Sequence, residues 1–161
     1  MHAEIKRMYE EALFWYRSVG TDASPPEASA EAAIRELACL CALARREEAA
    51  TAVARLSSRA SARSDPAWDI SASPWVWSLA PIAEFFLKAE DYSSAAEVVA
   101  LARPPSGWSR MEAAASSAGS GLAKAGRAGD LLALAAACPG ADLAPAFSQV
   151  LGRPLDSDRE G

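Results

Sequence analysis

The residue types that catalysis most often uses are few in this chain of 161 residues. His2 is the only histidine and lies at an end where fraying is expected, so a histidine-based triad is not predicted. Cys39 and Cys41 lie two residues apart in a helical pattern. They would point about 200° apart around the helix and could not clamp one metal ion. Together with Cys138, they are predicted to be reduced, buried thiols that bind no zinc.

Two further patterns could carry chemistry but have structural interpretations. The run 119-GSGLAKAGRAGD-130 is as rich in glycine as a phosphate-binding loop, but it lacks the Lys-Ser/Thr ending and a preceding strand. The acidic pairs Glu47-Glu48 and Glu90-Asp91 stand at predicted helix starts, where they would cap the helix and interact with its dipole. The sequence therefore predicts no catalytic residue, no metal site and no cofactor.

The composition favours an all-α protein, because Ala is abundant whereas Val, Ile and Thr are scarce. A net charge of −5 without a basic stripe argues against nucleic-acid binding, and a basic protein partner would suit this acidity. No apolar run approaches the ~20 residues of a membrane span. Charges within 1-MHAEIKRMYEEALFWY-16 interrupt any signal-peptide pattern, so a cytoplasmic location is expected. The excess of Arg over Lys, together with the Ala content, suggests a GC-rich bacterial source.

Apolar periodicity predicts seven to eight helices in a single domain over residues 1–155, followed by a flexible tail over 156–161. A capping helix over 1–20 has one apolar stripe at helical period: Ile5, Met8, Tyr9, Ala12, Leu13 and Tyr16. Phe14 and Trp15 lie off this stripe, so the helix is expected to be covered on two sides. Gly20 is its expected stop. Helix pairs are predicted over 29–60, 74–103 and 109–138, and a short terminal helix over 144–152. The Ser-rich stretch 57-SSRASARSDPAWDISASPW-75 is interpreted as a long connection, anchored by Trp68.

The three helix pairs align through their turns. Ala49, Ala95 and Leu131 occupy corresponding positions just after the turns, separated by 46 and 36 residues. The longer first interval contains the irregular stretch around Trp68. Removing about a dozen residues there leaves a period close to that of repeats built from helix pairs.

This pattern resembles the tetratricopeptide repeat family. The middle unit fits best, with Leu79, Ile82, Ala83, Phe86, Tyr92, Ala95, Val99 and Ala102 at the family's positions. The first unit offers Ile34, Leu37, Ala38, Cys41, Ala49, Val53 and Leu56. The third unit is degenerate: Ala115, Ala118, Gly119 and Leu122 fit, but Leu131 replaces a small residue, and the closing proline of each unit is early or absent. The resemblance implies a right-handed stack of antiparallel helix hairpins, an α-solenoid; another helical stack and a closed bundle are the alternatives.

In that family, ligands lie in a concave groove lined by the first helix of each pair. Carried over by position, the resemblance implies a partner-binding groove formed by Arg35, Trp77, Glu84, Lys88 and Lys124. The three cations could hold a carboxylate. The expected function is a non-catalytic adaptor or chaperone that binds another protein or peptide. The first alternative is a bacterial immunity or inhibitor protein that neutralises a toxin or enzyme.

A cluster of three tryptophans, Trp68, Trp75 and Trp77, lies in and next to the irregular connection. Three interpretations are open. The side chains could close the core beneath the connection, form an interaction surface, or line a pocket for a small ligand. The last interpretation leads to a second functional alternative, an enzyme or small-molecule sensor that uses this region.

Overall fold

A computed structural model describes residues 2–19, 26–62 and 68–152. Across these residues the chain is all-helical, as predicted, with eight α-helices and no strand. The helices are α1 (Ala3–Val19), α2 (Pro26–Ala42), α3 (Arg46–Ala62), α4 (Leu79–Lys88), α5 (Tyr92–Ala102), α6 (Ser109–Lys124), α7 (Ala128–Ala137) and α8 (Ala144–Val150). Two 3₁₀ turns, Ile70–Ala72 and Val76–Ser78, lie in the connection between α3 and α4. The predicted stop at Gly20 and the tail over 156–161 lie outside the described residues.

Two helices, α2 and α4, have a proline in the first turn and begin at residues other than those predicted. α2 begins at Pro26, three residues before the predicted start at Ser29, because the fixed φ of proline suits the first position of a helix. α4 begins at Leu79, so Pro81 lies in its first turn, where a missing N–H removes no helical hydrogen bond. In the helix pair predicted over 74–103, the first helix thus begins at Leu79, directly after the second 3₁₀ turn. No described helix has the length and apolar character needed to cross a membrane.

The internal contacts of the chain define two compact units, Met1–Ile82 and Ala83–Gly161, whose boundary falls inside α4. In the N-terminal unit, α1 packs against α2, and α2 packs against α3. Arg17 reinforces this arrangement by pairing with Glu36 of α2 at 3.3 Å and Glu48 of α3 at 3.4 Å. The largest fully buried side chains of this unit are aliphatic: Ile34, Leu37, Leu40, Val53, Ile70, Leu79 and Ile82.

The predicted stripe on α1 is only partly covered. Leu13 is buried against the rest of the unit, and Ala12 and Tyr16 are half-buried. Ile5, Met8 and Tyr9 of the stripe are exposed, and so are Phe14 and Trp15. The prediction that the helix is covered on two sides is wrong, because a helical period identifies an apolar arc but does not tell how far along the helix a neighbour covers it.

In the C-terminal unit, each helix from α5 onward packs against the next one and the next but one. α5 contacts α6 and α7, α6 contacts α7 and α8, and α7 also contacts α8. Two glycines of α6 are buried at these contacts. A Cβ atom on Gly119 would lie 2.5 Å from Cδ2 of Leu143, and one on Gly121 would overlap the ring of Tyr92. The unit is therefore packed closely around α6.

The three turns that the sequence aligns share one backbone geometry. Each contains a left-handed residue: Ala44 (φ 56°), Glu90 (φ 59°) and Gly126 (φ 70°). In each turn the following residue donates its backbone N–H to the carbonyl oxygen five residues earlier, which closes the preceding helix. These hydrogen bonds are Arg45 to Leu40, Asp91 to Phe86 and Arg127 to Leu122, at 2.9, 2.9 and 3.0 Å. The first residue of the next helix then follows directly.

The turns also set the register of the repeat. Ala49, Ala95 and Leu131 follow them at the same position and are all fully buried. Ala83 lies twelve residues before Ala95, and the residue twelve before Ala49 is the buried Leu37. The sequence alignment instead placed Ala38 and Cys41 at the core positions of α2, but Ala38 is exposed and Cys41 half-buried. Ile34 and Leu37, placed by the same alignment, are buried. The placement is therefore wrong for two of its four α2 residues, since the Ala/Leu-rich helix looks equally apolar in neighbouring registers.

Candidate functional site

The five residues predicted to line a groove belong to different parts of the chain. Arg35 in α2 and Trp77 in the second 3₁₀ turn belong to the N-terminal unit. Glu84 and Lys88 in α4 and Lys124 in α6 belong to the C-terminal unit. Their surroundings differ, and these surroundings decide which side chains can meet a partner.

Arg35 is engaged on several sides within its own unit. Its Nε donates to Oε2 of Glu31, one turn earlier in α2, at 3.1 Å. The guanidinium lies over the ring of Trp75, with Cζ 4.0 Å from the ring centroid, and Nη1 is 3.5 Å from the hydroxyl of Tyr16 in α1. Arg35 thus connects α1, α2 and the segment that leads into α4. An anionic partner would have to use its remaining donors or displace Glu31.

The three tryptophans of the cluster have three different environments. Trp68 is only 3% exposed, and the guanidinium of Arg59 lies 4.4 Å above its ring. Trp75 is half-buried beneath Arg35. Trp77, in contrast, is 60% exposed. The prediction that Trp68 anchors the connection is confirmed, and the interpretation of Trp77 as a core residue is wrong.

The segment that carries Trp77 is held in place by short-range hydrogen bonds and buried anchors. The carboxylate of Asp69 accepts from the backbone N–H of Ser71 at 3.2 Å and caps the first 3₁₀ turn. The hydroxyl of Ser73 accepts from the N–H of Trp75 at 3.1 Å. Ile70 and Val76 are buried on either side of these bonds. Trp77 is therefore an exposed aromatic residue on an anchored backbone.

Glu84 is paired with Arg110 of α6. Nε of Arg110 donates to one carboxylate oxygen at 2.7 Å and Nη2 donates to the other at 2.6 Å, which is the bidentate geometry typical of this pair. The hydrogen bonds from Arg110 lower the pKa of Glu84 below its ordinary value. Both side chains are about half exposed, so the pair contributes little to stability. Arg110 was missed by sequence reasoning, because 26 residues separate the partners and no local pattern links them.

Lys88 and Lys124 occupy equivalent positions. Each is the last residue of its helix and stands two residues before a left-handed turn residue, Glu90 or Gly126. Both side chains are exposed. Within the described part of the chain, neither lysine takes part in a salt bridge. Of the predicted groove cations, these two are free to meet an anionic group.

The thiols are protected rather than activated. Cys39 and Cys138 are buried, Cys41 is half-buried, and none of them forms a disulfide. Desolvation raises the pKa of all three thiols, and that of Cys41 to about 12. These thiols stay protonated at neutral pH and are poor nucleophiles there. No cluster of His, Cys, Asp and Glu suited to a metal ion occurs among residues 2–19, 26–62 and 68–152.

The glycine-rich run is helical through much of its length. Residues 119–124 lie in α6, and α7 begins at Ala128 after a tight turn. Gly119 and Gly121 face Leu143 and Tyr92, so their role is to allow close packing. This confirms the rejection of a phosphate-binding loop.

Comparison with known proteins gives no significant match to a family model, a curated protein or a solved structure.

Proposed function

We propose that the chain is a tetratricopeptide-like helical-repeat protein that binds another protein and has no catalytic role. The repetition of the turns supports this proposal. Three turns share one hydrogen-bonding pattern, and a buried residue follows each at the same position. The packing of α5 to α8, with each helix against its next two neighbours, has the order of stacked hairpins. The Glu84–Arg110 pair, which joins α4 to α6, links the first helices of two consecutive hairpins.

The observation that carries the binding function is the exposed side chain of Trp77. Tryptophan is the residue type most enriched at binding hot spots, and 60% of its surface is accessible here. Because the surrounding turn is anchored by Ile70 and Val76, little backbone freedom would be lost on binding. A rigid, exposed tryptophan supports an interaction surface at this end of the connection.

The charged residues divide into two groups in this proposal. Lys88 and Lys124 present exposed ammonium groups that can pair with carboxylates of a partner segment. Arg35 and Glu84 are engaged with Glu31 and Arg110, so their first role is to hold the local structure in which the other residues are presented. We propose that the partner segment carries acidic side chains or a terminal carboxylate.

The proposal is tested by capturing partners from a lysate of the source cell and measuring the affinity of the purified partner. We expect Trp77→Ala to weaken binding by about 30-fold or more, which corresponds to ~2 kcal/mol for a hot spot. Leu132→Ala, which truncates an equally exposed side chain in α7, is the control and should bind normally. Lys88→Glu should slow association and change its salt dependence. Normal binding by Trp77→Ala would refute the proposed role of Trp77, and unchanged association by Lys88→Glu would refute that of Lys88.

The inhibitor alternative is tested with the same complex. The chain is short and carries a net charge of −5, and both properties are compatible with a protein that neutralises a basic enzyme or toxin. If the captured partner has an enzymatic or toxic activity, that activity should fall in proportion to the bound fraction. A partner whose activity is unchanged by saturating amounts of this protein would exclude the inhibitor role.

A further inference from the structure

Helix α1 has an apolar stripe, overlapping the predicted one at Ile5, Met8 and Ala12, that the other described elements leave largely exposed. Ile5, Met8, Ala12, Trp15 and Val19 recur at intervals of three, four, three and four residues. Four of these side chains are exposed by 48%, 68%, 66% and 38%, in the order Ile5, Met8, Trp15 and Val19, and Ala12 is half-buried. The alternation of three and four is the spacing by which one helix packs along another in a coiled coil. We call these five residues the α1 seam.

The seam points away from the N-terminal unit. The side of α1 that packs on the unit is marked by the buried Leu13, by Arg17, which pairs with Glu36 and Glu48, and by Glu10, which lies 3.9 Å from Arg45. At 100° per residue, the centre of the seam lies about 120° around the helix from Leu13. Contact with α2 and the pairing of Arg17 thus fix α1 in an orientation that leaves the seam accessible.

The order of residues in the seam suits an identical helix running in the opposite direction. Ile5 and Val19 each stand seven residues from Ala12, and Met8 and Trp15 stand four and three residues from it. In an antiparallel pair centred on Ala12, Ile5 meets Val19 of the partner subunit and Met8 meets Trp15 of the partner subunit. Ala12 meets its own copy, and its small side chain permits close approach at the crossing point. Such a contact is self-complementary, as a twofold interface requires.

The exposed area is sufficient for a reversible dimer. With ~150–250 Å² for a fully exposed aromatic side chain, the exposures of the seam and of the adjoining Tyr9 correspond to about 500 Å² on each copy. Two copies would bury about 1,000 Å², the lower limit for a specific interface. An interface of this size is typical of weak, reversible association.

The charges beside the seam favour a protein over a lipid surface. Glu4 and Glu11 border the seam next to Trp15, and the whole chain carries a net charge of −5. An amphipathic helix that binds anionic membranes has Lys or Arg in such places. In the antiparallel pair, Glu11 stands within about 3 Å along the helix axis of its own copy. This repulsion weakens the dimer, and its removal should strengthen it.

We infer that the α1 seam is the interface of a symmetric homodimer in which two α1 helices pack antiparallel and cross at Ala12. The seam shares no residue with the surface around Trp77.

The first test is the molar mass of the full chain over a range of about 1–200 µM, measured by sedimentation equilibrium. The mass should rise from 16.9 kDa toward twice that value. Trp15→Asp should stay monomeric over the whole range, whereas Glu11→Gln should shift dimerisation to lower concentration. Phe14→Asp is the matched control, since Phe14 is 64% exposed on the same helix but lies outside the seam. It should dimerise like the unaltered protein.

Three outcomes would overturn the inference. The unaltered protein could remain monomeric at the highest concentration, or Trp15→Asp and Phe14→Asp could dimerise equally well. The third outcome is a monomer that binds vesicles of anionic lipid through Trp15, which would assign the seam to a membrane.

A second test does not depend on disrupting the helix. Ile5→Cys combined with Val19→Cys should give a disulfide-linked dimer under air oxidation, because the antiparallel pair places these positions together. Ile5→Cys alone should not, since the two copies of position 5 would lie about 20 Å apart. The unaltered chain, whose cysteines are buried or half-buried, controls for native thiols. Equal cross-linking of the single and double variants would contradict the antiparallel interface.

Discussion

The ring of Tyr92, the first residue of α5, lies against the backbone of Gly121 in α6. A Cβ atom at position 121 would overlap the carbon atoms of that ring. A glycine in a helix interior costs up to ~1 kcal/mol relative to alanine. The close packing of Tyr92 offsets this cost and locks α5 against α6.

Gly121→Ala is therefore expected to destabilise the protein, although alanine is the better helix former. Overpacking against Tyr92 should lower the free energy of unfolding by ~1–3 kcal/mol. The control is Gly129→Ala in α7, where the added Cβ meets no atom within 4 Å. That variant should be neutral or slightly more stable. Urea denaturation of both variants checks the prediction, and a Gly121→Ala protein as stable as the original would contradict the packing.

Trp68 and Trp77 should respond differently to truncation. Trp68→Ala should cost ~3–5 kcal/mol of stability, because it empties a buried site beneath the connection. Trp77→Ala should change stability by less than ~1 kcal/mol, since most of the side chain already contacts water. Thermal melts of the two variants measured side by side provide the check. Similar losses in both would mean that Trp77 has a structural role.

The stack of Arg35 on Trp75 predicts a measurable coupling between the two residues. A double-mutant cycle with Arg35→Ala and Trp75→Leu should give an interaction free energy of ~0.5–1 kcal/mol, as for partly exposed cation–π pairs. The same cycle with Trp68→Leu in place of Trp75→Leu is the control and should give a value near zero. A coupling of zero in the first cycle would indicate that the stack does not form in solution.

The half-buried thiol of Cys41 should make the folded protein less stable in alkaline solution. Desolvation raises its pKa from 9.0 in the ordinary case to about 12 in the folded chain. The unfolded chain therefore loses this proton first, and stability falls as the pH rises above about 9 toward 12. Cys41→Ala removes this contribution, so its stability should decline less than that of the original protein between pH 9 and pH 10. Equal declines in urea titrations at the two pH values would argue that the thiol is not desolvated.

Local signals in the sequence were enough to predict the helices and their turns. Gly126 and the acidic residues after the turns belong to patterns that end one helix and begin another. Tyr92, which the alignment treated as a turn residue, is instead the first residue of α5. Ala44 and Glu90 adopt the same left-handed conformation as Gly126 without being glycine, so their turns were found by alignment rather than by residue type. In α2 the alignment placed Ala38 in the core although it is exposed, because a uniformly apolar composition carries little information about which residues face the core.

The environments of the candidate site residues depended on tertiary contacts. Arg35 meets Trp75 across 40 residues, and Glu84 meets Arg110 across 26, so neither pair could be inferred from spacing along one helix. The type and position of Trp77 suggested an interaction surface, but only its 60% exposure separates that interpretation from a core role. For α1, periodicity identified the apolar arc, while the position of α2 determined which part of it is covered.

The left-handed turn residues are positions at which substitution by glycine can stabilise the protein. A residue with a Cβ atom is strained in this conformation, and glycine is not. Gly126 already occupies the third turn, whereas Ala44 and Glu90 carry the strain in the first two. Ala44→Gly and Glu90→Gly should each raise stability by ~0.5–1 kcal/mol, after allowance for the greater freedom of glycine in the unfolded chain. These two substitutions would place glycine at the left-handed position of all three turns.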